Sequence, residues 1–147
     1  IVKLHPVHMM FVHFPAALLP MDIILSVAGI YFQQDKLGDA AYYCLMGGVI
    51  GGWIAVIAGL FDLYKYLIIP ESNASRKGVV HGIVQTVVIT GFTGVLALEY
   101  HNPTYIYNGP AVLWIGKIIL IILLLVGNYL GGDLVLKVVS KHFQTSE

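Results

Sequence analysis

Charge is what this sequence has least of. Asp, Glu, Lys and Arg make up 11% of its 147 residues, where an ordinary soluble domain has about a quarter. No sign predominates: Lys and Arg number 8 against 8 Asp and Glu, so the formal net charge is zero. A polyanion finds no basic field to bind, and nucleic acid is excluded as a partner. Cysteine is nearly absent too. The single Cys44 rules out an internal disulfide and a paired-cysteine metal knuckle, and it reads as a small buried apolar residue. There is no P-loop, nucleophile elbow, His-Glu-x-x-His or paired acidic dyad, which argues against an ordinary hydrolase. The first residue is Ile1, and residues 1–31 lack the pattern of a cleavable signal peptide: the apolar run is long, holds Pro15, Pro20 and Asp22, and has no small-residue cleavage motif.

What is abundant is hydrocarbon. Hydrophobic residues are 58% of the chain and mean hydropathy is +0.82, the composition of a membrane protein. Four apolar stretches predict spanning helices over about residues 9–31, 40–69, 79–100 and 110–139. The first is roughly 35 Å long at 1.5 Å per residue, enough for a ~30 Å hydrocarbon core. Pro15 and Pro20 each remove a backbone donor inside it, so a bent helix is expected. Asp39 is a suitable N-cap for the second helix, whose pairs Gly47 with Gly51 and Gly48 with Gly52 admit close backbone approach. Pro70 ends that helix, and residues 71–78 form the second loop. Pro110 suits the first turn of the fourth helix, in which Gly127, Gly131 and Gly132 offer another close-contact face.

Three short loops joining four crossings predict one all-α domain, residues 1–147, folded as an up-down-up-down transmembrane bundle. The membrane face where the first helix begins is here called face A, and the opposite one face B. Lys3, Lys65, Arg76, Lys77, Lys137 and Lys141 fall at or beyond face A, and Lys36 alone lies in a face B loop. The positive-inside tendency then makes face A cytoplasmic, with both termini inside. Tyr31, Tyr42, Tyr43, Tyr100, Tyr105, Tyr107 and Trp114 form an aromatic belt at face B.

Histidine is unevenly spread. His5, His8 and His13 crowd the entrance of the first helix, and His81 opens the third. His13 and His81 each lie about one turn below face A, Asp62 shares that level, and His8 lies just above. Asn128 and Asp133 come from the fourth helix to the same end. Ionisable side chains at the edge of hydrocarbon are expensive without a shared ligand or network. Two imidazoles at one depth on facing helices suit the axial positions of a b-type haem, with Gly82 beside His81 making room and Gln85 one turn further in. A mononuclear Zn, Cu or non-haem Fe site of His8, His13, His81 and Asp62 is the alternative. The bland reading is hydrogen bonding to carbonyls freed near Pro15, to Asp62 and to interfacial water. His5 and His142 are expected to face solvent or headgroups. Asp22 and Lys117 lie at similar depth and are expected to form an ion pair that fixes helix packing; the alternative reading of Asp22 is a proton or quinol-headgroup contact. Met9, Met10, Met21 and Met46 are gap-fillers.

At these residues the chain resembles a family of small bacterial four-helix membrane proteins catalogued as a domain of unknown function. Its signature, His-Pro-x-His continuing to Val-His-Phe-Pro, stands here as His5-Pro6-Val7-His8 and Val12-His13-Phe14-Pro15. The likeness extends through Gly59-Leu60-Phe61-Asp62-Leu63-Tyr64, His81 and Leu130-Gly131-Gly132-Asp133-Leu134-Val135, essentially the whole chain. The family usually has Pro where Met9 stands and often Asn where Gln85 stands. The resemblance implies the four-helix fold, a bacterial inner-membrane location and a cytochrome b-like subunit.

The function expected is a membrane-embedded electron-transfer subunit rather than a stand-alone enzyme. It would hold haem b near face A through His13 and His81, with His8 available to a second haem. With histidine nearly absent from face B, it needs a partner redox subunit, a cytochrome or quinone at one leaflet. The rivals are a structural or assembly subunit that packs through its glycine faces and, third, a membrane enzyme with a His/Asp metal site.

Overall fold

The computed structural model describes residues 6–67 and 73–144. His5, the ending at Ile69 and Pro70, and the last three residues lie outside them, as does the side chain of His142. Among the described residues the chain is helical, without strands, in the order α1 (Pro6–Phe11), α2 (His13–Phe32), α3 (Asp35–Leu67), α4 (Asn73–His101), α5 (Tyr105–Asn108) and α6 (Ala111–Gln144). Four segments are long and apolar enough to cross a membrane: Val7–Phe32, Asp35–Tyr64, Arg76–His101 and Ala111–Asp133. The all-α membrane bundle is the fold. Its helices pair as two antiparallel hairpins: α2 lies against α3 and α4 against α6, while α3 and α4 join the pairs.

At the expected bend the first span loses one hydrogen bond and does not break. Pro15 cannot donate to the carbonyl of Phe11 and its ring crowds that group, which separates α1 from α2 at Val12. Val12 keeps helical torsions, φ −61° and ψ −23°, and the bonds from its N–H to the His8 carbonyl and from Ala16 N–H to its own carbonyl run through the junction. Pro20, one turn deeper, stays inside α2 without ending it. α1 packs on α3, the helix that His8 faces.

Three boundaries differ from expectation. α3 starts at Asp35 rather than near Ala40, because an acidic first turn favours the helix N-terminus and Gly38 does not stop the helix. α4 starts at Asn73 rather than near Val79, since Asn, Ala, Ser, Arg and Lys can all enter a helix where water satisfies its first turn. The third loop contains α5, which caps face B. Tyr107 there donates its hydroxyl to the Asp35 carbonyl at 2.5 Å. Burial, then the nearby Asp39 and Asp35 carboxylates, push its phenol up, so the donor proton stays in place.

The core is apolar and narrow: Leu19, Leu45, Val49, Val88, Ile89, Phe92, Val95, Leu113 and Leu124. Around it Ile24, Val27, Ile57, Val87, Ile118, Ile122 and Leu125 are half exposed or nearly so, as a lipid-facing surface requires. A Cβ at Gly48 would come within 2.6 Å of Leu19, and one at Gly52 within 2.4 Å of Ile89. The glycines of α3 therefore do their work inside this chain, seating α2 and α4. Tyr31, Tyr43 and Tyr100 project outward at face B, forming the aromatic belt.

Candidate functional site: two glycine-seated imidazoles

His8 leaves α1 toward α3, and its Nδ1 lies 2.8 Å from the carbonyl oxygen of Ala55. His81 leaves α4 toward α6, where its Nδ1 lies 2.7 Å from the carbonyl oxygen of Gly127. A carbonyl only accepts, so in each ring Nδ1 carries the hydrogen. The neutral imidazole then keeps a lone pair on Nε2.

Each ring also rests on a glycine one turn beyond its acceptor. A Cβ on Gly59 would come within 2.9 Å of Cε1 of His8, and a Cβ on Gly131 within 2.8 Å of Cε1 of His81. The two hairpins thus repeat one device: the helix entering from face A supplies the imidazole, and the returning helix supplies a carbonyl and, one turn on, a seat. His8 lies at the start of the first span and His81 near the start of the third, so both rings stand toward face A.

His81 belongs to a polar ladder between α4 and α6. Lys77, one turn before it, makes a 2.7 Å ion pair with Asp133. Gln85, one turn after it, donates to Asn128 at 2.7 Å and lies across the bare backbone of Gly127. Asp62 is buried at 5% exposure, just beyond Gly59 in α3. Gly82 has open space where a side chain would be.

The geometry differs from the expected pairing of His13 with His81. His13 is exposed, because a separation of five residues puts it about 140° around the helix from His8. Phe14, next to it, stacks on Phe11 with ring centroids 5.4 Å apart. The part-buried imidazole of the first span is His8, which sequence spacing had put just above the site. Ala55, Gly59 and Gly127 escaped notice because a backbone acceptor and a bare seat carry no chemical label. The regular spacing of Ala55 to Gly59 and Gly127 to Gly131 was the available signal.

Deeper in the bundle, Lys117 Nζ lies 2.9 Å from Asp22 Oδ2 and 2.6 Å from Glu99 Oε1. The expected Asp22–Lys117 ion pair is present. Its third member, Glu99, was visible as the only acid inside the third apolar stretch.

These features define a class: an all-α membrane bundle of four spans. The chain belongs to the family described as "Predicted membrane protein (DUF2231)", whose profile covers residues 4–141. No curated protein and no solved structure matches it.

Proposed function

We propose that this protein is a membrane-embedded electron-transfer subunit that binds b-type haem near face A, with His8 and His81 as the iron ligands. The observation that carries the reading is the common state of the two imidazoles: each hydrogen-bonded through Nδ1 to a backbone carbonyl, each with Nε2 left as a donor. Metal-ligating histidines almost always have their second nitrogen held in this way. Two imidazoles are the number of protein ligands that a bis-histidine haem would take, whereas a mononuclear Zn site takes three or four. Among the described residues no group of three or more His, Cys, Asp or Glu is placed to hold a metal ion.

Bound haem supplies one-electron transfer. The chain's own contribution is to fix the tautomer of both rings, raise their basicity through the carbonyl hydrogen bonds, and hold their orientation against Gly59 and Gly131. Asp62, Gln85 and Gly82 lie around the same end and shape its polarity. A site at one face exchanges electrons with a partner redox subunit, a cytochrome or quinone at that leaflet. The proposed location is the bacterial inner membrane, with face A and both termini cytoplasmic by the distribution of Lys and Arg.

The test is the absorption spectrum of the purified protein, with a Soret band and sharp reduced bands expected. His8→Ala and His81→Ala each remove or convert the low-spin spectrum, and His13→Ala leaves it in place. A spectrum unchanged in both of the first two variants defeats the ligand assignment. A colourless protein after expression with ample haem favours the second reading, an assembly subunit. That reading has its own support. Gly94 and Gly116 have open space where side chains would be, and both line an apolar groove of about 530 Å³ between α4 and α6.

A further inference from the structure

The ion pair deep in the bundle carries one more negative group than it needs. Asp22 is 0% exposed, Glu99 1% and Lys117 2%, so water screens none of them. Asp22 uses both carboxylate oxygens on Lys117, at 3.1 Å through Oδ1 and 2.9 Å through Oδ2. Its Oδ1 also accepts from the Ser26 hydroxyl at 3.4 Å. Glu99 uses only Oε1, at 2.6 Å. Its Oε2 is buried and without a hydrogen-bond partner among the described residues.

One ammonium against two ionised carboxylates leaves a net negative charge inside the membrane, where an uncompensated charge is strongly disfavoured. Among the described residues no ion pair brings a second cation to either carboxylate. Trp114 of α6 has its ring 5.6 Å from Lys117 Nζ and brings no positive charge.

We propose that the Asp22–Lys117–Glu99 triad is a proton-binding site, holding one exchangeable proton on Oε2 of Glu99. With that proton the triad is neutral: Asp22 is the full counter-ion of Lys117, and Glu99 keeps the carbonyl dipole of Oε1 against the ammonium while Oε2 carries the hydrogen. Release leaves a carboxylate beside a cation already paired, and re-uptake restores the balance. The proton leaves and returns as H⁺, with water as its acceptor and donor. Glu99 lies two residues before His101, where α4 ends at face B, so it is about one turn from the aqueous boundary. Asp22 lies near the middle of α2. Face B is therefore the side of exchange.

Infrared spectroscopy of the purified full chain in lipid tests the site directly and does not depend on a bound haem. A protonated-carboxyl carbonyl band is expected at neutral pH and shifts in D₂O as its proton exchanges. Glu99→Gln removes the band. Asp22→Asn removes it as well, because Glu99 then becomes the sole counter-ion of Lys117 and gives up its proton. Lys117→Met strengthens the band, since two carboxyls without a cation both protonate. The proposal is overturned by a wild-type protein without a carboxyl band, by a band that does not shift in D₂O, or by one that survives Glu99→Gln. The wild-type measurement decides even where a variant fails to fold.

Discussion

At the scale of the residue, hydrogen-bond polarity decides what the two imidazoles can do. Nothing but Nδ1–H satisfies a carbonyl, so the tautomer of His8 and His81 follows from Ala55 and Gly127. NMR of the apo-protein labelled with ¹⁵N-histidine is expected to show both rings protonated at Nδ1. A second consequence concerns the seats. Gly131→Leu places carbon where the His81 ring lies, so it should displace that ring and alter the low-spin spectrum while leaving the helical circular dichroism intact. Gly82→Ala, at an open position, should leave the spectrum unchanged. Lys117→Met strands two buried carboxyls. Two protonated carboxyls left without their shared partner cost about 1–3 kcal/mol each, to be read as earlier unfolding in a denaturant titration in detergent.

At the scale of the element, helical periodicity separates the two histidines of the first span. Five residues put His13 about 140° around from His8, so His8 faces α3 and the Ala55 carbonyl while His13 is exposed. Pro15→Ala restores the one missing donor in a helix that already runs through Val12. It is expected to leave the Nδ1–H signal of His8 in place in the ¹⁵N spectrum. Close helix approach is the other element-scale requirement. Gly48→Leu would drive a side chain into Leu19, which a Cβ would already meet at 2.6 Å. Overpacking of this kind costs about 1–3 kcal/mol, measurable as a lowered midpoint of thermal unfolding.

At the scale of the whole molecule, the chain separates two kinds of chemistry between two ends. Imidazoles and a Lys77–Asp133 pair stand toward face A. The acid-rich triad and the tyrosine belt stand toward face B. The proposed orientation follows from the basic residues beyond face A and is checked by accessibility. With Cys44 replaced by Ala, a Lys36→Cys variant should react with a membrane-impermeant thiol reagent applied to intact cells. A cysteine placed after Glu147 should react only after lysis. The reverse pattern would invert the topology and move the imidazole site to the outer leaflet.

The four spans, their antiparallel order and the Asp22–Lys117 pair were legible in the linear sequence, because hydrocarbon thickness fixes helix length and a buried charge demands an opposite one at equal depth. Pro15 likewise announced the lost hydrogen bond at which α1 and α2 separate. The choice of His8 over His13, the carbonyls and glycines that hold the rings, and the third member of the buried triad were decided only by tertiary structure. Backbone acceptors and empty space acquire a role from what lies opposite them, and a one-dimensional string does not record what lies opposite.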